Sequence, residues 1–526
     1  MFLPAVTTHL CLGAPYGWSA ISHRLSLEVG MVSPASGDWS LDQVTWPMSI
    51  QIASGGISAA VLANWTGRVG VRRAMLTGSL MFGGGMMVAS QGILQHNLPL
   101  LYLGNVMCGL GYGCAYTPPL QALIEWYPDK KGLASGLVIA GFGSGALVFT
   151  PVINGLSGLL RELPRPADLT DLTDLTSSVV HCTAADLARL PYSLQPGSYV
   201  AGSGSSGLGL SLAIMAGLYT LLITASALSI ARPPPGYSVP GYVSPTTSTS
   251  SQANVPVENV LRTPQFWLLF STATLLATGG MSLMSVASPL VQDVFTSSLP
   301  AIVTPAWAAG YVMSLSVANL SGRVAWAAIS DRIGCRQTFN ILCLSSIPLY
   351  LAMPPLITAC VSDPTNPAAS LYLAAFCVSS FLAVSVMGGV FSVLPPYEAE
   401  LYGSKYVGAI HGKFLPFSTI RGIVGPALLL HLRSVEEAKS IEEILRNVDP
   451  VLFMSTFNGA DISEAAMLVE NKTVSLAKLV SILPAHMSDP TPFLYNSTMY
   501  SMAALAACSA LLHASVKPVE RKYFEK

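Results

Sequence analysis

Arg323, Lys413 and Arg421 each stand inside long stretches of otherwise uncharged, largely apolar sequence. A cation held in hydrocarbon surroundings costs several kcal/mol, so it is rare there and marks function. No Asp or Glu falls within the apolar cores around these three, so the sequence predicts no internal counter-ion. Fixed cations without acids suit a small anion. Arginine favours a carboxylate, because its planar fork engages both oxygens at once. Arg323 precedes Asp331 by eight residues, about 12 Å along a helix. That is too far for its side chain to reach the membrane surface. Lys413 and Arg421 are eight residues apart, which turns them about 80° from each other on one helix. At most one of them points straight into a shared cavity. His411 adds a ring that titrates near neutrality.

Other chemistries lack their residues. No CxxC or HExxH spacing occurs, and no nucleophile–base set is legible, so neither an enzyme, a metal nor a cofactor is expected. Lys plus Arg (26) and Asp plus Glu (27) nearly cancel, which leaves no basic excess for nucleic acid.

The elements that carry these cations follow from charge scarcity. The 526 residues are 51% hydrophobic and only 10% charged, against roughly 25% charged in a soluble domain. Mean hydropathy is +0.54. Residues 74–124, 132–160, 190–231, 263–292, 294–322, 337–362, 364–397 and 491–516 contain no Asp, Glu, Lys or Arg. A bilayer-crossing helix needs about 20 apolar residues, and lipid offers the backbone no hydrogen-bond partner, so such segments are helices. The expected spans lie near 3–21, 43–63, 74–92, 99–122, 132–155, 208–230, 264–287, 300–324, 338–359, 369–393, 404–430 and 494–514. The fold class is therefore an all-α membrane protein of twelve transmembrane helices. The first segment reads as a span rather than a leader: no Lys or Arg precedes it, and Pro4, His9 and Pro15 interrupt it.

Residues 231–263 are rich in Pro, Ser and Thr and read as a linker. The expected domains are a six-helix half at 1–230, this cytoplasmic linker, and a six-helix half at 264–526. A weak repeat supports them. Gly67-Arg68-Val69-Gly70-Val71-Arg72-Arg73 follows the second span, and Ser330-Asp331-Arg332-Ile333-Gly334-Cys335-Arg336 follows the eighth. Parallel six-helix halves are one transporter plan. Lys and Arg concentrate in short loops on one side, which places both termini in the cytoplasm. Two long loops, 156–207 and 431–493, then face outward; the second carries a glycosylation sequon at Asn471.

Several motifs are familiar together. Trp-Tyr-Pro-Asp-Lys-Lys-Gly-Leu-Ala at 126–134, followed by Ala140-Gly141-Phe142-Gly143, resembles the oxalate:formate antiporter family of the major facilitator superfamily. Leu12-Gly13-Ala14-Pro15-Tyr16-Gly17-Trp18-Ser19, Asn319-Leu320-Ser321-Gly322-Arg323 and Gly425-Pro426 agree with it. The resemblance covers roughly residues 3–430 and implies the major facilitator fold. It puts the family's substrate arginine at Arg323. It puts a substrate lysine position at Ser418, so Arg421, one turn on, becomes the substitute. Tyr16 and Tyr116 fall on the family's aromatic wall positions, with Trp46 as a third wall. Asn319 stands where the similar monocarboxylate transporters have an acid. Arg68, Arg72, Asp331, Arg332 and Arg336 fall on the superfamily's inner-gate loops.

The expected function is secondary transport of small carboxylate anions by alternating access, through exchange or uniport. The alternatives are a proton-coupled monocarboxylate symporter and a non-transporting receptor. Expected partners are a small carboxylate and the lipid bilayer, with the chain a monomer in the plasma membrane.

Overall fold

The computed structural model describes residues 1–127, 131–168, 171, 178–188, 190, 193–234, 237, 254–362, 367–403, 406–457, 461–470, 474–484 and 487–525. The main helices of the first part are α1 (Phe2–Leu12), α2 (Ser19–Leu25), α3 (Leu41–Val69), α4 (Val71–Leu94), α5 (Leu98–Trp126), α6 (Lys131–Gly143), α7 (Gly145–Leu160) and α8 (Leu208–Ser229). Those of the second are α9 (Pro264–Ser285), α10 (Ala287–Phe295), α11 (Pro305–Ile333), α12 (Cys335–Val361), α13 (Ala369–Tyr402), α14 (Val407–Phe414), α15 (Pro416–Asn447) and α16 (Asn496–Ala514). Every expected span is occupied by a helix or a pair of helices. Among the described residues, eight helical stretches are long and apolar enough to cross a membrane.

The helix pairs are the first departure from the sequence reading. Spans one, five, seven and eleven are each broken, between α1 and α2, α6 and α7, α9 and α10, and α14 and α15. The causes are local. A 3-10 turn at Ala14–Gly17 follows Gly13, and Pro15 within it has no N–H to give. Pro416 opens α15, where its missing donor is harmless. The breaks in spans one and five touch each other. A Cβ on Gly145 would lie 2.1 Å from the Gly13 carbonyl carbon, and one on Gly13 would lie 2.2 Å from the Phe142 oxygen. Only two glycine backbones approach so closely.

The two basic loops of the sequence repeat fold into the same turn. Gly70 has φ 84° and ψ 163°, and Gly334 has φ 85° and ψ 153°. Side-chain-bearing residues are strained in this region. Among the described residues, a Cβ at either position would meet nothing within 4 Å, so it is the backbone angle that demands glycine. We call the end of the bundle with these turns the short-loop face.

The opposite, long-loop face adds one small ribbon to the all-α fold. A two-stranded antiparallel ribbon, β1 (Val179–Cys182) and β2 (Gly197–Val200), packs its apolar side on Leu27, Val32 and Ala35. Helix α15 runs on to Asn447, well past the expected membrane limit. Arg433 on that extension bonds Asp293 at 3.2 Å and the Tyr495 hydroxyl at 3.0 Å, which ties α15 to α10 and the start of α16. Glu28 accepts the Ser206 N–H at 3.3 Å and also the Ser206 hydroxyl, joining the ribbon's loop to the α2–α3 loop. Asn471 and most of the linker lie outside the described residues.

Two outcomes follow. Gly334→Ala should cost about 1–3 kcal/mol of stability, read as a lower unfolding temperature in detergent. Gly84→Ala, at a helical site where a Cβ meets nothing, should not lower it. Burial raises the Glu28 carboxyl from 4.5 to about 7. A raised acid stabilises the fold when protonated, so that contribution is present below about pH 4.5 and is lost as pH rises through about 7. The unfolding temperature should fall over this window, and Glu28→Gln should flatten the fall.

Candidate functional site

The helix breaks release side chains toward a narrow cavity between the two groups of helices. Pro15, from the span-one turn, and Phe142, one residue before the end of α6, line it. Helix α3 adds Gln51 and Ile52, and α5 adds Tyr112 and Tyr116. From the second group come Arg323 on α11, Phe391 on α13, and Ser418 and Arg421 on α15. The space enclosed is about 20 Å³, room for little more than one water-sized body. Close approach of α3 to α15 helps to narrow it: a Cβ on Gly56 would lie 2.3 Å from the Thr419 hydroxyl oxygen.

Both arginines are buried, Arg323 at 3% and Arg421 at 1% exposure. Among the described residues, neither has a carboxylate within 4 Å. Arg323 Nε donates to Asn319 Oδ1 at 3.3 Å, and Nη1 donates to the Ile139 carbonyl at 3.2 Å. The second bond crosses from α11 to α6, so the cation sits on the seam between the two groups. Arg421 has softer company. Its Nη1 meets the thioether sulfurs of Met281 at 3.2 Å and Met387 at 3.5 Å, and Nη2 donates to Ser418 Oγ at 3.3 Å. Its Nε has no partner among the described residues. Thioethers are weak acceptors, so this buried cation is poorly compensated.

One ring joins the pair. The Phe391 ring lies 5.1 Å from the Arg323 guanidinium carbon and 4.6 Å from that of Arg421. Both distances are within cation–π range. Phe417 backs Phe391 at 5.0 Å. Across the cavity, Phe142, Tyr112 and Tyr116 form a wall with ring separations between 4.9 and 5.7 Å. Gly55 makes room for Tyr112, since a Cβ there would lie 2.3 Å from the ring. This arrangement presents two forked cations, two hydroxyl-bearing rings and flat apolar walls, a set complementary to a small planar anion.

The site residues expected from the sequence divide. Arg323, Arg421, Asn319, Ser418 and Tyr116 come together. Tyr16 stands behind Phe142 at 5.2 Å, in the cluster but not in the cavity wall. Trp46 lies outside the wall; five and six residues on, Gln51 and Ile52 face it instead, turned about 140° and 120° away from Trp46. Lys413 is exposed, because it precedes the break in span eleven and faces away from the cavity. Phe391 and Tyr112 escaped the sequence reading. Each had only its place in an apolar span, with no charge or motif to single it out.

His411 and the missing acid are the larger correction. His411 Nδ1 lies 3.1 and 3.2 Å from the two oxygens of Glu398, a fully buried carboxylate on α13. The expected span ended at 393, but α13 continues to Tyr402 through Pro395 and Pro396. A buried acid therefore exists, although it pairs with His411 and not with the arginines. The expected gate residues Arg68, Arg72, Asp331, Arg332 and Arg336 sit exposed on the short-loop face. Among the described residues they form no ion pair; Arg72 bonds only the Ile230 carbonyl, at 3.2 Å, within its own group of helices.

Comparison with known proteins gives the geometry a setting. The family model described as Major Facilitator Superfamily matches residues 3–160. The chain is 26% identical to Apicoplast pyruvate carrier 1 of Toxoplasma gondii over 496 residues, covering 81% of each chain. It is 25% identical to the Oxalate:formate antiporter of Oxalobacter formigenes over 356 residues, 66% of this chain and 67% of that one. In solved structures, a bacterial homolog of the human lysosomal transporter Spinster, inward-facing and occupied, matches with TM-score 0.62 at 15% identity. That match covers 100% of this chain and 98% of the other.

Removing the shared ring should separate the two cations from their common support. Phe391→Leu should weaken carboxylate binding roughly tenfold, and Phe391→Tyr should retain it. The shift in unfolding temperature across a formate or oxalate titration measures both.

Proposed function

We propose, from the premise that this integral membrane transporter belongs to the major facilitator superfamily, that it carries small carboxylate anions. The observation that supports this best is the pair of buried, acid-free guanidinium groups on the Phe391 ring. A carboxylate entering between them supplies a counter-charge that none of the described residues provides within 4 Å. Arg323 and Arg421 then each offer a fork to the anion, and Ser418, Tyr112 and Tyr116 offer hydroxyls. Asn319 orients Arg323 through the bond to Nε.

Alternating access follows from where Arg323 reaches. Its bond to Ile139 links the two groups of helices. A bound anion competes for that guanidinium, so loading and unloading alter the seam. An unloaded site keeps two uncompensated cations, which disfavours return without cargo and favours exchange. We take the halves to be 1–230 and 264–526, with the long-loop face outside, both termini cytoplasmic, the plasma membrane as the location and the monomer as the working unit.

A second reading rests on one observation. The pair of buried Glu398 and half-buried His411 is a proton-carrying candidate, which favours proton-coupled symport of a monocarboxylate. In reconstituted vesicles, labelled formate, oxalate, pyruvate and lactate should enter faster when substrate is preloaded inside. Arg323→Gln should reduce that exchange at least a hundredfold, given about 3 kcal/mol for a charged hydrogen-bonded contact. No flux of any of the four would reject the carboxylate reading. Uptake driven by an inward proton gradient, and lost in Glu398→Gln, would select symport.

A further inference from the structure

A second cavity, of about 610 Å³, opens at the long-loop face between the same two groups of helices. It is distinct from the arginine site: none of its lining residues belongs to the narrow cavity. Its walls combine apolar side chains, such as Leu27, Met31 and Met313, with Arg24, Arg161 and His23. No Asp or Glu stands among its described lining residues, but Glu28, bonded to the lining Ser206, lies behind the wall within electrostatic reach of Arg24.

Two side chains of this wall carry buried polar atoms without partners among the described residues. Thr150 on α7 is fully buried, and its hydroxyl oxygen has no hydrogen bond among the described residues. Gln292 on α10 is 5% exposed; its amide nitrogen bonds Ser288 Oγ at 3.0 Å, while its Oε1 has no partner. Both residues line the cavity. A buried polar atom left unbonded costs about 1–3 kcal/mol, and the cavity that these two residues help to line is large enough for a ligand. Arg24 is held at the wall by Ser157 Oγ at 2.7 Å and by the Asn154 side-chain oxygen, so its guanidinium is fixed in direction.

We propose that this cavity is a second ligand site, for an amphiphilic monocarboxylate with an apolar body too large for the arginine site. The carboxylate lies at the Arg24 and Arg161 side, and the apolar body lies along Leu27, Met31 and Met313. Such a ligand touches α2 and α7 on one side and α10 and α11 on the other. It therefore binds the arrangement in which these helices pack together, and holds that arrangement against opening. Occupancy slows exchange without entering the arginine site.

The test uses the full-length protein in lipid nanodiscs with 4-phenylbutyrate as the probe. Saturable binding should raise the unfolding temperature, and 4-phenylbutanol, which lacks the charge, should bind at least tenfold more weakly. Ala309→Trp, which fills the cavity from α11, should abolish the shift. Thr150→Val should weaken binding roughly tenfold without altering the protein's volume. Arg323→Gln should leave 4-phenylbutyrate binding unchanged, so this readout is independent of the carboxylate-transport reading. Equal binding of the alcohol, binding that survives Ala309→Trp, or binding abolished by Arg323→Gln would each overturn the proposal.

Discussion

Two guanidinium groups share one phenylalanine ring, and among the described residues no carboxylate answers them. That imbalance organises the centre of the molecule. Arg323 takes a carbonyl from the opposite group of helices and an amide from its own. Arg421 donates to two methionine sulfurs and a serine hydroxyl in place of an acid. Burying a cation this way forfeits hydration that neutral partners do not restore. The fold tolerates the cost because the surroundings are over-determined: Phe417 holds Phe391, and touching glycine backbones hold the breaks that expose Pro15 and Phe142. Electrostatic deficit at the seam and close backbone packing around it are two sides of one arrangement.

The breaks deserve the same physical reading. An unbroken span presents a continuous helical face, and its backbone groups are all engaged within the helix. Interrupting spans one, five and eleven redirects the chain near the middle of each, whereas the break in span seven, at Val286, falls at its end. Spans one and five meet at Gly13 and Gly145, and span eleven restarts at Pro416, two residues before Ser418. The cavity lies among these interruptions. Its counterpart nearer the long-loop face is wide and mostly apolar, so one passage between the helix groups contains a tight charged site and a roomy site of different character.

Much of this was legible in residues. Charge-free stretches located most spans, because a hydrocarbon layer excludes charge irrespective of packing; span eleven, with Lys405, Lys413 and Arg421, is the exception. The repeated basic loops announced the turns that Gly70 and Gly334 build. Arg323 and Arg421 declared themselves by being charged where nothing else was. Phe391 could not do so, since an aromatic residue in an apolar helix carries no pattern that distinguishes a cation's support from ordinary packing. Glu398 was hidden by the opposite error: a charge was taken to end a span, whereas α13 buries it against His411 and continues. Lys413 and Trp46 failed because rotation about a helix, and the break in span eleven, decide which residues face inward. Such angles depend on tertiary contacts that a single sequence does not contain.

The central claim is that the arginine pair is held for an anion and not for the fold. Arg421→Leu measures it directly, with stability and oxalate binding followed in the same purified protein. The account predicts that, without oxalate, the variant unfolds at the same or a higher temperature, because a poorly compensated buried charge has been removed. It also predicts that the stabilisation by oxalate disappears. A variant that loses several kcal/mol of stability, yet is still stabilised by oxalate as the parent is, would contradict it.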